Sequence, residues 1–114
     1  MTKYEFLGEI YGKSKLVLAV VRQYVNDNPN ITFTDLSKAF PDSLQGTKGV
    51  VKLESSVSDA YRGIGGHRRY FVNANEIIAL CTGERVLVSN QWGIHNINPF
   101  IEHVQKLGYK IVLL

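Results

Sequence analysis

The sequence predicts a single α+β domain. We expect an N-terminal pair of helices, a small sheet of mixed strand direction with a hairpin, and a C-terminal helix that crosses to a last strand. Three observations support this fold class. Apolar residues in the first third recur at helical spacing, short apolar runs bounded by glycine fill the middle, and the 114 residues suffice for one core.

The first 28 residues contain a weakly defined segment and then a helical pattern. Residues 1–12 mix aromatic, apolar and acidic side chains, and we expect a short helix or an arm packed on the domain. Residues 13–28 predict a helix, although their valines make a strand the competing interpretation. Three apolar pairs recur there at a spacing of four: Leu16/Val17, Val20/Val21 and Tyr24/Val25.

A second helix is predicted to begin after Thr32, whose hydroxyl can cap the free N–H groups, with Asp35 in the first turn. Pro41 ends this helix and is able to start one more turn over residues 42–44. Two helices followed by a hairpin also describe a winged helix, in which the second helix enters the major groove. The outward side chains of that helix include only one cation and one acid, however, whereas recognition helices usually present Arg, Asn or Gln to the bases.

Strands and loops are predicted for the part of the chain after Gly46. The predicted strands share short apolar runs: residues 49–53, 68–72, 76–80 and 85–89. The last two are joined as a hairpin through a glycine-containing turn. The polar segment 54–66 predicts a flexible loop.

The C-terminal part predicts a loop, a helix and a strand. Residues 90–96 are the loop. Asn98 is the predicted cap of the helix, with Pro99 at its first position and Gly108 after its last turn, and Asn96 is predicted to be a capping residue as well. Residues 109–114 predict a final strand that is apolar enough to be buried.

Composition limits the classes of protein. The chain is 45% hydrophobic and 20% charged, which excludes a disordered chain. The single cysteine, Cys81, excludes an internal disulfide and a cysteine-rich zinc site. We see no membrane-spanning run and no signal peptide, and therefore expect a cytoplasmic protein without a membrane partner. The net charge of +3 is compatible with nucleic acid without requiring it.

A basic segment around a glycine-rich loop is the first candidate site. Residues 43–72 hold five Lys and Arg against two acids, so this segment alone accounts for a net charge of +3. We expect phosphate contacts because glycine lets backbone N–H groups approach closely and Arg binds phosphate bidentately. The alternative is a solvated loop whose charges guard an edge strand against aggregation. The candidate residues are Lys48, Lys52, Arg62, His67, Arg68 and Arg69.

The second candidate site is the loop Asn90-Gln91-Trp92-Gly93. Its amide side chains can bind adenine edges, and an indole face can stack on a base. The alternative is that Trp92 anchors the loop, with its ring packed and its N–H hydrogen-bonded.

Catalysis has little support in the sequence, and we expect no catalytic residue, no metal and no cofactor. The three histidines lack metal spacing, and Glu76 and Glu84 have no accompanying Glu-x-Lys pattern. Three hypotheses remain. The first is a non-enzymatic module that binds DNA through its phosphates, and the second is an interaction module, such as a homodimer, built on the N-terminal aromatics and the last strand. The third and weakest is a small metal-dependent nuclease.

Four strings form a recognisable pattern: Phe33-x-x-Leu36-x-x-x-Phe40-Pro41-x-x-Leu44-Gln45-Gly46-x-x-Gly49-Val50, Arg69-Tyr70-Phe71, Val88-x-Asn90-Gln91-Trp92-Gly93-x-x-Asn96-Ile97-x-x-Phe100-Ile101 and Leu107-Gly108-Tyr109. From about residue 30 onward, the chain thereby resembles a small bacterial module found in restriction and phage-defence proteins. These include chains of the modified-cytosine restriction type with a GTPase or AAA motor. The resemblance implies a stand-alone form of a DNA-facing part, which acts with a restriction or motor protein or by binding alone. It assigns no site residue.

Overall fold

The computed structural model describes residues 2–114 and has an α+β fold, with three helices and two small antiparallel sheets in this range. The helices are α1 (Lys13–Asp27), α2 (Phe33–Ala39) and α3 (Ile94–Lys106). The strands are β1 (Tyr4–Phe6), β2 (Glu9–Tyr11), β3 (Val51–Leu53), β4 (Ile78–Ala79), β5 (Arg85–Val88) and β6 (Val112–Leu113). None of these helices is long and apolar enough to span a membrane.

The first sheet has the order β2-β1-β6. Its N-terminal part is a β-hairpin, so the short helix that was one prediction for residues 1–12 is wrong for the described residues. The alternative prediction, a segment packed on the domain, agrees with the buried Tyr4 and Phe6. The two turn residues, Leu7 and Gly8, have φ angles of 51° and 83°. Positive φ at both central positions matches the twist of a two-residue hairpin.

The last strand lies at the edge of this sheet. Tyr4 of β1 pairs with Leu113 of β6, yet the Leu113 side chain is 66% exposed. The prediction of a buried strand over residues 109–114 is therefore wrong at its end, because an edge strand packs on only one side. The aromatics expected to be exposed for a dimer are instead core residues, since Tyr4 and Phe6 are buried and Tyr11 packs against the core.

Both predicted N-terminal helices are confirmed. In α1 four of the recurring apolar residues are fully buried, namely Leu16, Val17, Val20 and Val21, whereas Tyr24 is half-buried. The Thr32 hydroxyl accepts a hydrogen bond from the backbone N–H of Asp35 at 3.2 Å, which is the predicted cap of α2. A single 3₁₀ turn, Asp42–Leu44, follows Pro41 as predicted.

The second sheet has the order β3-β5-β4, and both pairs are antiparallel. The prediction of a mixed sheet is therefore wrong, whereas the β4–β5 hairpin is confirmed. The strand predicted over residues 68–72 is reduced to one bridge between Tyr70 and Ser89. The physical reason is that β5 has β3 and β4 on its two edges, so residues 68–72 reach only its C-terminal end.

The start of α3 differs from the prediction. Its N-cap is Gly93, and Pro99 lies inside the helix, so Asn98 as cap and Pro99 at the first position are both wrong. The predicted capping role of Asn96 is confirmed, since its side-chain Oδ1 accepts the backbone N–H of the N-cap residue, Gly93, at 2.8 Å. An asparagine three residues into a helix can bond back to the N-cap in this way.

One core joins the helices to both sheets. α1 contacts β1, β2 and β5. Phe40, at the end of α2, packs against Phe100 of α3 and Tyr24 of α1, with ring centroids 6.1 and 5.2 Å away. Helices and sheets thus form one frame, in which residues 54–69 follow β3 and residues 89–93 connect β5 to α3.

Candidate nucleic-acid interface

The segment predicted to be a flexible loop contains ordered turns. Two 3₁₀ turns, Glu54–Ser56 and Ala60–Arg62, precede the glycines. The backbone N–H of Ile64 donates to the Asp59 carbonyl at 2.9 Å, which closes the loop on itself. These bonds fix the backbone that presents the basic residues.

Four residues from separate parts of the chain are connected through side-chain and backbone contacts, and we call them the Tyr61 cluster: Lys48, Tyr61, Arg69 and Gln91. The Lys48 ammonium donates to the Tyr61 hydroxyl at 3.2 Å and lies 4.3 Å from the ring centroid. The Arg69 backbone N–H donates to the Tyr61 carbonyl at 2.8 Å, and its Nη1 donates to Gln91 Oε1 at 3.3 Å. The fold therefore brings two predicted cations and one predicted amide together around a tyrosine.

Arg68 and His67 extend the positive surface beside this cluster. Both side chains are exposed, and a Cβ atom built on Gly63 would lie 3.8 Å from Arg68 Nε. Within residues 2–114 none of Lys48, Arg68 and Arg69 forms an ion pair with a carboxylate. Three cations in this region thus lie outside the ion pairs of the described chain.

The glycine-rich turn leaves backbone donors free. In the described chain, the N–H groups of residues 65–68 donate to no backbone carbonyl, and these residues are exposed. Exposed N–H groups next to arginines are the combination that proteins use to contact phosphate oxygens.

Two of the predicted cations are compensated by acids. Lys52 Nζ lies 2.8 Å from Asp42 Oδ2, and Arg62 Nη2 lies 3.7 Å from Glu54 Oε2. Glu54 also accepts two hydrogen bonds from Arg85, at 2.8 and 3.2 Å. The Arg85 hydrogen bond, with the charges of Arg85 and Arg62, lowers the pKa of the Glu54 carboxyl against the opposing effect of burial. Lys52 and Arg62 therefore contribute little free charge to this surface.

The Asp42–Lys52 pair fits closely over Gly49. Gly49 has a φ angle of +70°, and a Cβ atom there would collide with the Asp42 carboxylate and lie 2.9 Å from Lys52 Cε. Glycine suits this position because of its backbone conformation, and a side chain there would displace the Asp42 and Lys52 side chains.

Trp92 is positioned as an anchor. Its indole N–H donates to the Ser89 carbonyl at 2.8 Å, and its ring packs 5.1 Å from Phe100. A ring held between a backbone bond and the core offers little area to a base, which favours the anchoring alternative.

The rest of the Asn90–Gly93 loop ties three elements together. The Gln91 carbonyl accepts hydrogen bonds from Gln45 Nε2 at 2.8 Å and Asn96 Nδ2 at 3.3 Å. The Asn90 carbonyl accepts the Ser14 hydroxyl of α1 at 2.9 Å. Gln45 also accepts the Lys48 backbone N–H at 2.8 Å through its Oε1. The loop thus sets the positions of Gln91 and, through Gln45, of Lys48.

Sequence reasoning missed Tyr61, Gln45 and Tyr70. Tyr70 is buried and donates from its hydroxyl to the Lys48 carbonyl at 2.8 Å. Burial, followed by the nearby Asp42 and Tyr61, raises the pKa of Tyr70 above its ordinary value. The available signal for Tyr61 was its position between Ala60 and Arg62, directly before the glycine-rich turn.

The two acids of the nuclease hypothesis have different surroundings. Glu76 is 5% exposed and accepts Lys15 Nζ at 2.6 Å and the Asn73 backbone N–H at 3.1 Å. Glu84 is exposed and accepts the Thr82 hydroxyl at 3.0 Å. Across residues 2–114 no three His, Cys, Asp or Glu side chains are grouped so that they could share a metal ion.

Comparison of the chain with protein-family models, with curated proteins and with solved structures gives no match. The geometry of the Tyr61 cluster and its neighbouring cations is therefore the basis for a functional assignment.

Proposed function

We propose that the protein is a non-enzymatic module that binds nucleic acid through its phosphates. The observation that supports this is the group of three cations without carboxylate partners among residues 2–114: Lys48, Arg68 and Arg69. Lys48 and Arg69 both contact Tyr61, and Arg68 adjoins Arg69 in sequence and Gly63 in space.

Uncompensated charge is what makes this surface suited to a polyanion. A cation already paired with a carboxylate gains little from a phosphate, whereas a free cation gains the contact and releases counterions from the nucleic acid. Arg68 and Arg69 can each offer a phosphate two parallel N–H donors. We expect Lys52 and Arg62 to contribute less, because Asp42 and Glu54 occupy them.

A winged-helix mode of binding stays a prediction. The second helix, α2, has seven residues and carries Asp35 in its first turn and Lys38 in its last. With so few basic or amide side chains on α2, we favour contact through the loop surface around Tyr61.

The test is fluorescence anisotropy with short labelled DNA at low salt. We expect binding by the wild type and a clear loss of affinity, alike for all sequences, in the double variant Arg68→Ala/Arg69→Ala. The matched control, Lys38→Ala/Lys106→Ala, removes two exposed cations from the ends of α2 and α3 and should bind as the wild type does. Absence of binding at low salt, or an equal loss in both double variants, would overturn the proposal.

A homodimer through the first sheet is the second candidate function. Four large apolar side chains are exposed there: Leu7 (67%), Ile10 (62%), Leu113 (66%) and Leu114 (60%). Leu7 also has a positive φ, which is unfavourable for leucine and typical of Asn or Gly. In the described chain β2 and β6 each pair on one side only, so both edges of the sheet are open.

Light scattering tests this candidate without removing core residues. Deleting residues 1–12 would also remove the buried Tyr4 and Phe6, so point substitutions are the better variants. We expect a dimer that becomes a monomer in Ile10→Lys or Leu113→Lys, and a monomeric wild type would rule the candidate out.

A restriction or motor protein is the partner that we propose on the resemblance alone. A gene for such a protein beside the gene for this chain would support it. If the two proteins meet on DNA, their co-purification should be lost in Arg68→Ala/Arg69→Ala. If they bind each other directly, this variant should still co-purify with the partner.

A further inference from the structure

We propose that the nucleic acid is bound as a single strand, with one base stacked on the ring of Tyr61; this inference rests on the proposed function. The juxtaposition behind it is an exposed aromatic ring that lies against one cation, Lys48, and close in the fold to a second, Arg69, neither of which forms an ion pair in the described chain. Tyr61 is 40% exposed, with Lys48 against its ring and Arg69 bonded to its backbone.

The ring is held ready for stacking. The Lys48 ammonium lies over one face of the ring and donates to the hydroxyl, so a base would stack on the opposite face. The Arg69 N–H donates to the Tyr61 carbonyl and holds the backbone that carries the ring. An aromatic ring that is positioned before the ligand arrives loses little conformational entropy on binding. Single-stranded nucleic acid is commonly bound by such rings within a positively charged surface that follows the backbone.

A duplex does not satisfy this arrangement. Bases within a duplex are stacked on one another, so an amino-acid ring reaches a base face only if the base leaves the stack. Phosphate contacts to Lys48, Arg68 and Arg69 would remain available on a duplex, but the exposed part of the Tyr61 ring would then gain nothing. A single strand uses the cations and the ring together.

The bound strand should be recognised with little sequence preference. Base edges are read by side-chain donors and acceptors, and Gln91 is the amide within the Tyr61 cluster. Its Oε1 accepts from Arg69, and its Nε2 donates to Asn90 Oδ1. With these atoms engaged inside the protein, stacking and charge are left as the main contributions to binding.

The experiment compares three labelled ligands of equal length on the wild-type protein: a DNA single strand, its duplex, and a strand with abasic residues. The abasic strand keeps the phosphates and removes the bases. We expect the normal single strand to bind more tightly than either of the others, by roughly fivefold or more, which is the effect of one base stacked on an aromatic ring.

Variants assign the effect to the ring. Tyr61→Leu should reduce binding of the normal strand to the level of the abasic strand, whereas Tyr61→Phe should retain the preference because it keeps the ring. Ile64→Ala is the control, since Ile64 is an exposed apolar residue of the same loop without an aromatic face. It should leave the preference unchanged.

The outcomes separate this inference from the proposed function. Equal binding of all three ligands, weakened by Arg68→Ala/Arg69→Ala, would support phosphate binding and overturn stacking on Tyr61. Tighter binding of the duplex would also overturn it. If no ligand binds, the proposed function itself fails. The wild-type comparison of normal and abasic strands decides the matter even if Tyr61→Leu does not fold.

Discussion

At the scale of single residues, Glu76 is a buried carboxylate whose charge is stabilised by a lysine and a backbone N–H. Burial raises the pKa of its carboxyl, but hydrogen bonds from Lys15 and the Asn73 backbone, with the charges of Lys15 and Arg68, outweigh burial and lower it. Lys15 also lies 4.9 Å from the ring centroid of Phe71. Glu76 therefore joins the chain before β4 to α1.

The lowered pKa of Glu76 predicts a pH dependence of stability. The unfolded carboxyl titrates near its ordinary pKa of 4.5 and the folded one below it, so the unfolded state binds the proton first as the pH falls. The stabilisation is complete above pH 4.5 and is lost as the pH falls through the folded pKa. Thermal melting followed by circular dichroism should show a shallower acid loss for Glu76→Gln than for the wild type. Identical acid profiles would contradict this role.

Gly49 gives a second prediction at this scale. Gly49→Ala should lower the free energy of unfolding, because alanine there meets both an unfavourable φ angle and the Asp42–Lys52 pair. Gly8→Ala is a matched control, since Gly8 has a φ of +83° but no atom within 4 Å of the added Cβ. We expect about 1 kcal/mol for the backbone conformation in each variant, and a further loss only for Gly49→Ala.

Denaturant unfolding of the two variants measures the difference. Equal losses of stability would show that the contact with Asp42 has no energetic weight. A larger loss for Gly8→Ala would contradict the expected order.

At the scale of elements, the start of α3 gives a prediction that distinguishes two asparagines. The Asn96 side chain accepts from Gly93 and donates to the carbonyls of Gln45 and Gln91, whereas the Asn98 side chain is exposed. Asn96→Ala should therefore cost about 0.5–2 kcal/mol of stability, the usual range for a lost capping residue. Asn98→Ala, on the same helix, should cost almost nothing.

Chemical denaturation measures both costs. If Asn98→Ala were the more destabilising variant, α3 would begin at Asn98, as the sequence predicts, and the start at Gly93 would be contradicted. Because Asn96 also holds Gln45, we further expect weaker DNA binding by Asn96→Ala than by Asn98→Ala.

The elements differ in how far local patterns determine them. Helix α1 was predictable because its apolar residues recur every four positions, and α2 because Thr32 caps it. The β1–β2 hairpin was missed since each strand has three residues and its turn places a leucine at positive φ. Residues 68–72 look like a strand locally, but whether they pair depends on the free edges of β5, which no local pattern records.

At the scale of the whole molecule, the sequence located the positive charge but not its partners. The net charge of +3 in residues 43–72 can be counted directly from the sequence. Asp42 and Arg85, which lie outside that range, join the charge pattern only through folding: Asp42 compensates Lys52, and Arg85 shares Glu54 with Arg62. Folding also brings Gln91 to Arg69 and Lys48 to Tyr61, contacts across 22 and 13 residues. The site could thus be assigned to a region by sequence and to particular residues only by structure.

The central claim is that Lys48, Arg68 and Arg69 contact phosphates, and the salt dependence of binding tests it most directly. For a single strand, the logarithm of the binding constant should fall with the logarithm of salt concentration by about 0.7 for each phosphate contacted. We predict that Arg68→Ala/Arg69→Ala lowers the magnitude of this slope by about 1.4, while Lys38→Ala/Lys106→Ala leaves it unchanged. A slope that is the same in the wild type and in Arg68→Ala/Arg69→Ala would contradict the account.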